Sequence, residues 1–173
     1  MTPLPYGSAR EILGRMRSQP VPYDIPLYAA DLSRHARSLE QRAETLGSPL
    51  ALDDLHAAVA ALDTASRALT ATLSQTLAAG PPSSTATLQR VNKALIGLER
   101  TFVRESGLQG RPWSRSLYAS PDPFSGYASW MLPGLRYEIE TGDSEEIPDW
   151  EGVYVAAVEE LTRRVRKLTG ALR

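Results

Sequence analysis

The sequence predicts an all-α protein, a four-helix bundle with a long ordered aromatic loop before the last helix. Three observations lead there. Apolar residues recur every three or four positions along four stretches of the chain, as they do on one face of a helix. Gly and Pro clusters separate those stretches. Between residues 107 and 147 the period disappears, and tryptophans, tyrosines, prolines and glycines take its place.

Residues 1–22 hold Pro3, Pro5, Pro20 and Pro22 around a short amphipathic piece, Ala9 to Met16, and are read as a lead-in to a domain spanning 23–173. Asp24 followed by Pro26 is a helix start: a capping carboxylate, then a proline in the first turn. Tyr28, Leu32, His35, Leu39, Ala43 and Leu46 form the stripe of a first helix over 26–46, closed by Gly47 and Pro49. A second helix over 51–78 carries Leu52, Leu55, Val59, Leu62, Ser66, Leu69, Leu73 and Thr76 at a/d spacing. Gly80-Pro81-Pro82 breaks the chain. A third helix, expected over 85–104, shows Leu88, Val91, Leu95, Leu98 and Phe102 on one face.

The loop that follows contains Trp113, Tyr118, Phe124, Tyr127, Trp130 and Tyr137. It is too aromatic to be disordered, so it is expected to pack on the bundle, with a short helix near Leu135 to Glu140. The last helix, over 150–171, presents Trp150, Val153, Ala157, Leu161, Val165, Leu168 and Leu172.

Composition narrows the function. Hydrophobic residues make up 42% and charged residues 23% of 173, an ordinary globular balance with enough length for one core. The net charge of -1 provides no global field for nucleic acid or an anionic membrane, so neither is expected as a partner. With no cysteine, thiolate chemistry and disulfides are excluded. If Met1 is the natural start, the absence of an apolar leader points to the cytoplasm.

No catalytic set emerges. Adjacent glutamates such as Glu145 and Glu146 serve zinc aminopeptidases as general base and ligand. Here they sit in a polar linker, Gly142 to Pro148, and read as solvated charge. His35 and His56 fall on different helices, His35 on the apolar stripe and His56 at a stripe edge, and are read as structural. The cluster Arg163, Arg164, Arg166 and Lys167 has Glu159 and Glu160 one turn away, so an ion-paired face is the simpler account.

One resemblance reaches further. Gly107-Leu108-Gln109-Gly110-Arg111-Pro112-Trp113, then Leu117-Tyr118-Ala119-Ser120-Pro121, is similar to the "GLPGRPW … VIYAP" segment of the glutamate carboxypeptidase and transferrin receptor family. Gly126-Tyr127 and Leu132-Pro133-Gly134-Leu135 resemble its "GY … FPG" loop. Leu98 to Phe102 resembles "LERAF", and Val21 to Asp24 with Tyr28-Ala29 resembles "LPFD … YA". The resemblance implies the C-terminal helical domain that dimerises these zinc peptidases. The zinc ligands and glutamate base of that family lie in a separate peptidase domain. No cofactor or metal is therefore implied for this chain, and its implied partners are a second copy of itself and a zinc peptidase domain.

In the carboxypeptidases a Lys-Tyr pair of this loop reaches the peptidase domain and holds the substrate's terminal glutamate. The matching positions here are Gly126 and Tyr127. The tyrosine is kept and the lysine is not, and Tyr127 either reaches a substrate pocket or anchors the loop. Arg111, Pro112 and Trp113 are expected to be structural, with Trp113 largely buried, so that Trp113→Ala would cost about 3–5 kcal/mol. The four stripes are used internally, which leaves Phe124, Trp130 and Tyr154 as candidate dimer contacts. The competing readings are a stand-alone bundle left by a split or decayed peptidase gene and a small hydrolase using Glu145 or Glu146.

Overall fold

A computed structural model describes residues 23–78 and 85–172. The lead-in over 1–22 lies outside the described residues. Helix α1 spans Ile25–Thr45, α2 Asp53–Ala78 and α3 Thr85–Ile96. A 3₁₀ segment, Gly97–Phe102, continues α3. Two short strands follow, β1 (Ala119–Pro121) and β2 (Ser129–Met131), then α4 (Pro133–Thr141) and α5 (Ile147–Ala171). The fold is all-α, as the sequence predicts, with a small antiparallel β pair as its one sheet among the described residues.

The start of α1 follows from its cap: Asp24 Oδ1 accepts the Leu27 amide at 2.9 Å, and Pro26 occupies the first turn. Its buried line runs through Ile25, Ala29, Leu32, Ala36, Leu39 and Ala43. This corrects the predicted stripe at its edges. Tyr28 and His35 are half-buried and Leu46 is exposed, while the small Ala29 and Ala36 are fully buried.

Helix α2 lies between α1 and α5. Its first amides need partners outside the helix. Carboxylates from both neighbours supply them: Glu40 of α1 accepts the Leu52 amide at 2.9 Å, and Glu151 of α5 accepts that of Leu55 at 3.1 Å. Leu52, Leu55, Val59, Leu62, Ser66 and Leu69 are buried as the a/d spacing requires.

The third stretch is not one α-helix to residue 104. At Gly97, a poor helix former, it tightens into the 3₁₀ segment, which still buries Leu98 and Phe102. The Arg164 guanidinium donates to the Gly97 carbonyl at 3.1 Å and fixes the junction. Helix α5 closes the bundle against α2, α3, α4 and the 3₁₀ segment, burying Trp150, Tyr154, Val158, Leu161, Val165 and Leu168. Among the described residues no helix is long and apolar enough to cross a membrane.

Candidate functional site

The loop between the 3₁₀ segment and α4 is held by backbone pairing. Leu117 donates to Phe102 and Arg104 to Arg115, each at 2.9 Å, so 102–117 closes on itself. At its tip Leu108 bridges Arg111. Gly107 is required there on two grounds: its φ is 72°, and a Cβ would meet the Pro112 backbone at 2.5 Å. Gly110 also turns with positive φ, in open space. Arg111 then donates from Nη1 to the Pro121 carbonyl at 2.9 Å, tying the tip to β1. Its Nε and Nη2 are buried without a partner.

That geometry overturns the expectation for Trp113. The turn at Leu108–Arg111 and the Gly107–Pro112 contact direct it outward, and it is 75% exposed. The buried tryptophans are Trp130 and Trp150, the latter with the Arg104 guanidinium 4.5 Å above its ring. Tyr118 does pack inward, stacked on Tyr28 at 5.0 Å and met edge-on by His35 at 6.0 Å. Burial and then the charge of Arg34 hold the His35 pKa below its usual range.

Strands β1 and β2 pair Ser120 with Trp130. Between them Asp122 organises the tip. Its carboxylate accepts the Ser125 hydroxyl at 2.6 Å and the Phe124 amide at 2.8 Å, while its carbonyl accepts the Gly126 amide at 2.8 Å. The Ser125 bond, followed by the Phe124 amide, depresses the Asp122 pKa. This turn carries Phe124, 68% exposed, and Tyr127, 99% exposed. With its side chain almost wholly in solvent, Tyr127 does not anchor the loop to the described residues. Phe124 leans on Trp130 at 5.7 Å and stacks on Tyr137 at 6.3 Å.

Trp130 and Tyr154, the other two candidate contacts, present almost no surface. Trp130 is 8% exposed, turned inward by β pairing and held near the Arg136 guanidinium at 5.6 Å. Tyr154 is fully buried, and its hydroxyl accepts the Gly134 amide at 2.9 Å. Leu132, before the helix, adopts the left-handed region (φ 48°) and offers no side-chain cap, and Pro133 has no amide. Tyr154 therefore does the work of a cap for α4. Gly134 is needed for the approach, since a Cβ would lie 2.2 Å from the Trp150 ring.

Two glutamates of α4 lock it to its surroundings. Glu140 receives a bidentate pair from Arg42 of α1, at 2.8 and 3.0 Å, and an ion pair from Arg136 at 2.5 Å. The Arg42 bond is the main cause of its lowered pKa. Glu138 is buried and takes a 2.5 Å bond from Gln109, which also donates to the Gly134 carbonyl at 3.0 Å. Burial raises the Glu138 pKa, a shift the Gln109 bond opposes. The Arg136–Glu140 pair has the i,i+4 spacing of a helix face, whereas the Arg42 and Gln109 contacts join residues far apart in the chain and have no periodic signature in the sequence.

The residues considered for catalysis are not brought together. Glu145 and Glu146 are exposed, His35 stands against Tyr118, and His56 meets Glu40 at 3.1 Å. Among the described residues no three His, Asp or Glu side chains are placed to hold a metal ion. Arg163 and Arg164 of the basic cluster are ion-paired with Glu160 at 2.5 and 2.7 Å.

The sequence model of the transferrin receptor-like dimerisation domain family matches residues 50–166, from the start of α2 to late α5. The chain belongs to that family. The match spans the whole loop just described, the Gly107–Trp113 and Leu132–Leu135 segments included. Vacuolar protein sorting-associated protein 70 of Saccharomyces cerevisiae is 30% identical over 63 residues. That stretch is 36% of this chain and 8% of the yeast protein, so the domain spans a small part of the relative it matches. The family points to a dimerisation role. Helix α1 lies before the matched region yet packs on α2 and α4 as part of the same bundle.

Proposed function

We propose that this chain is a non-catalytic homodimerisation domain of a glutamate carboxypeptidase-like zinc peptidase, and that its aromatic loop is the part offered to other protein. The supporting observation is the contrast within that loop. Backbone bonds, the Asp122 turn and the Arg111–Pro121 contact hold it in one shape, yet it leaves Trp113, Phe124 and Tyr127 in solvent. Ordered, exposed aromatics are costly on a chain that works alone and are enriched where proteins meet. Phe124 and Trp113 serve the two-fold contact, in which the same surface of each copy meets its mate. Tyr127 projects toward the substrate pocket of a peptidase domain. With Gly126 where the carboxypeptidases have lysine, that loop supplies a hydroxyl and no cation, so a terminal glutamate is held less tightly than by a charged pair. The zinc of such a protein belongs to its peptidase domain.

The absence of cysteine permits a direct test. Ala128→Cys places one thiol on the exposed loop and Ala60→Cys one on the outer face of α2. Under mild oxidation the loop variant is expected to form a covalent dimer at least tenfold faster than the α2 variant. Equal rates, or a faster α2 variant, would refute the assignment of the contact to the loop.

A further inference from the structure

An open groove of about 430 Å³ runs between the start of α1, the 3₁₀ segment and the base of the loop. That volume is typical of small-molecule sites, which are mostly apolar with a few polar groups that fix orientation. Its floor holds three aromatic rings in mutual contact. Tyr28 stacks on Tyr118 at 5.0 Å, and Phe102 meets them edge-on at 5.5 and 6.4 Å. Leu98 and Leu161 complete the floor, and Val103, 51% exposed, forms one wall. The charge is of one sign. Asp24 and Glu99, both exposed, stand at the rim, and no lysine or arginine lines the groove among the described residues.

We infer that this groove binds a small organic cation, an ammonium group carried on an apolar body. The body rests on Tyr28, Phe102 and Tyr118, and the head group lies at the rim between Asp24 and Glu99. Three observations select that chemistry. Aromatic rings attract a cation through the negative face of the π-system, and carboxylates beside them add a Coulomb attraction of the same sign. The carboxylates are held at the rim yet keep an oxygen for a ligand. Asp24 uses Oδ1 for the Leu27 amide and Glu99 uses Oε1 for the Tyr23 hydroxyl, which leaves Oδ2 and Oε2. The Glu99 charge also reaches the floor: after burial and Tyr118, it helps to hold the Tyr28 ionisation above the usual tyrosine range. Arg164, which comes within 3.1 Å of the Gly97 carbonyl, has its own charge matched by Glu160 at 2.7 Å. An anion in this groove would face two carboxylates with no lining cation to offset them. The site stands apart from loop-mediated self-association, since it uses none of Trp113, Phe124 and Tyr127.

Calorimetric titration of the full chain tests it with three probes that share a phenylalkyl body and differ in head-group charge: 4-phenylbutylammonium, 4-phenylbutanol and 4-phenylbutanoate. The ammonium is expected to bind about tenfold more tightly than the butanoate, with the alcohol between them. Equal affinities, or no ammonium binding by about 10 mM, overturn the inference. Glu99→Gln and Val103→Lys change exposed side chains at the groove. Each should weaken ammonium binding about threefold or more while the circular dichroism spectrum stays helical. Glu159→Gln removes the same charge from the exposed face of α5 and should leave the affinity intact. No loss in Glu99→Gln, or an equal loss in Glu159→Gln, overturns the assignment to this groove. The affinity should also be the same at low and high chain concentration. An affinity that falls as the chain associates would give the groove to a second copy and overturn the inference.

Discussion

The hydroxyl of Tyr154, in the N-terminal third of α5, accepts the backbone amide of Gly134 at 2.9 Å and so caps α4 from another helix. Tyr154 is fully buried, and burial pushes its ionisation far above the usual tyrosine range, so the hydroxyl keeps its proton. Tyr154→Phe would leave a buried amide unsatisfied while preserving the ring. The expected loss is about 1–3 kcal/mol, read as a lower midpoint in urea with an unchanged slope.

Gly134 sits against the Trp150 ring with no room for a side chain. A methyl there forces α4 away from α5, and Gly134→Ala is expected to cost at least about 1–3 kcal/mol. The companion Gly152→Ala, on α5 in open space, should be neutral or slightly stabilising. Thermal denaturation of the two variants side by side checks both signs.

Glu138 and Glu140, on the same short helix, should respond to pH in opposite ways. The Glu140 pKa is lowered in the folded state, chiefly by Arg42. Its contribution is present above the ordinary glutamate range and lost as pH falls through the folded value. The Glu138 pKa is raised by burial. Its contribution is full below the ordinary range and fades as pH rises through the folded value. Glu140→Gln should therefore destabilise at pH 7 and converge on wild type in acid. Glu138→Gln, which can still accept from Gln109, should gain stability relative to wild type at pH 8 and lose that gain at pH 4. Melting temperatures across pH 3 to 9 separate the two.

Trp113 is free of the core, so Trp113→Ala should change monomer stability by no more than about 0.5 kcal/mol. If the residue serves an interface, the same substitution weakens self-association instead. Denaturation at low concentration and association at high concentration divide the two effects. A loss of several kcal/mol at low concentration would return Trp113 to a structural role.

Helix positions were legible because burial on a helix repeats: Leu32, Leu62, Leu95 and Val165 each fall on a predicted stripe and each is buried. The start of α1 was legible from Asp24 and Pro26 for the same local reason. The loop motif was legible only as a resemblance, and a motif does not say which of its aromatics points inward. Trp113 and Trp150 are equally apolar, and the choice between them rests on the Gly107–Pro112 contact and on the gap that Gly134 leaves. The stripe read for the last helix passes through Val153 and Ala157 and leaves Tyr154 outside it, whereas the amide that its hydroxyl accepts is twenty residues back. The groove beside Tyr23 joins three separate segments and has no linear signature.

Sedimentation equilibrium of the full chain, from about 1 to 100 μM, tests the central claim most directly. A two-fold contact with a micromolar dissociation constant leaves mostly dimer at the upper end. The expected result is a mass rising toward that of two chains, with Phe124→Asp on the exposed loop returning it toward one. A mass of one chain at about 100 μM, or a dimer untouched by Phe124→Asp, would contradict the assignment of self-association to this loop.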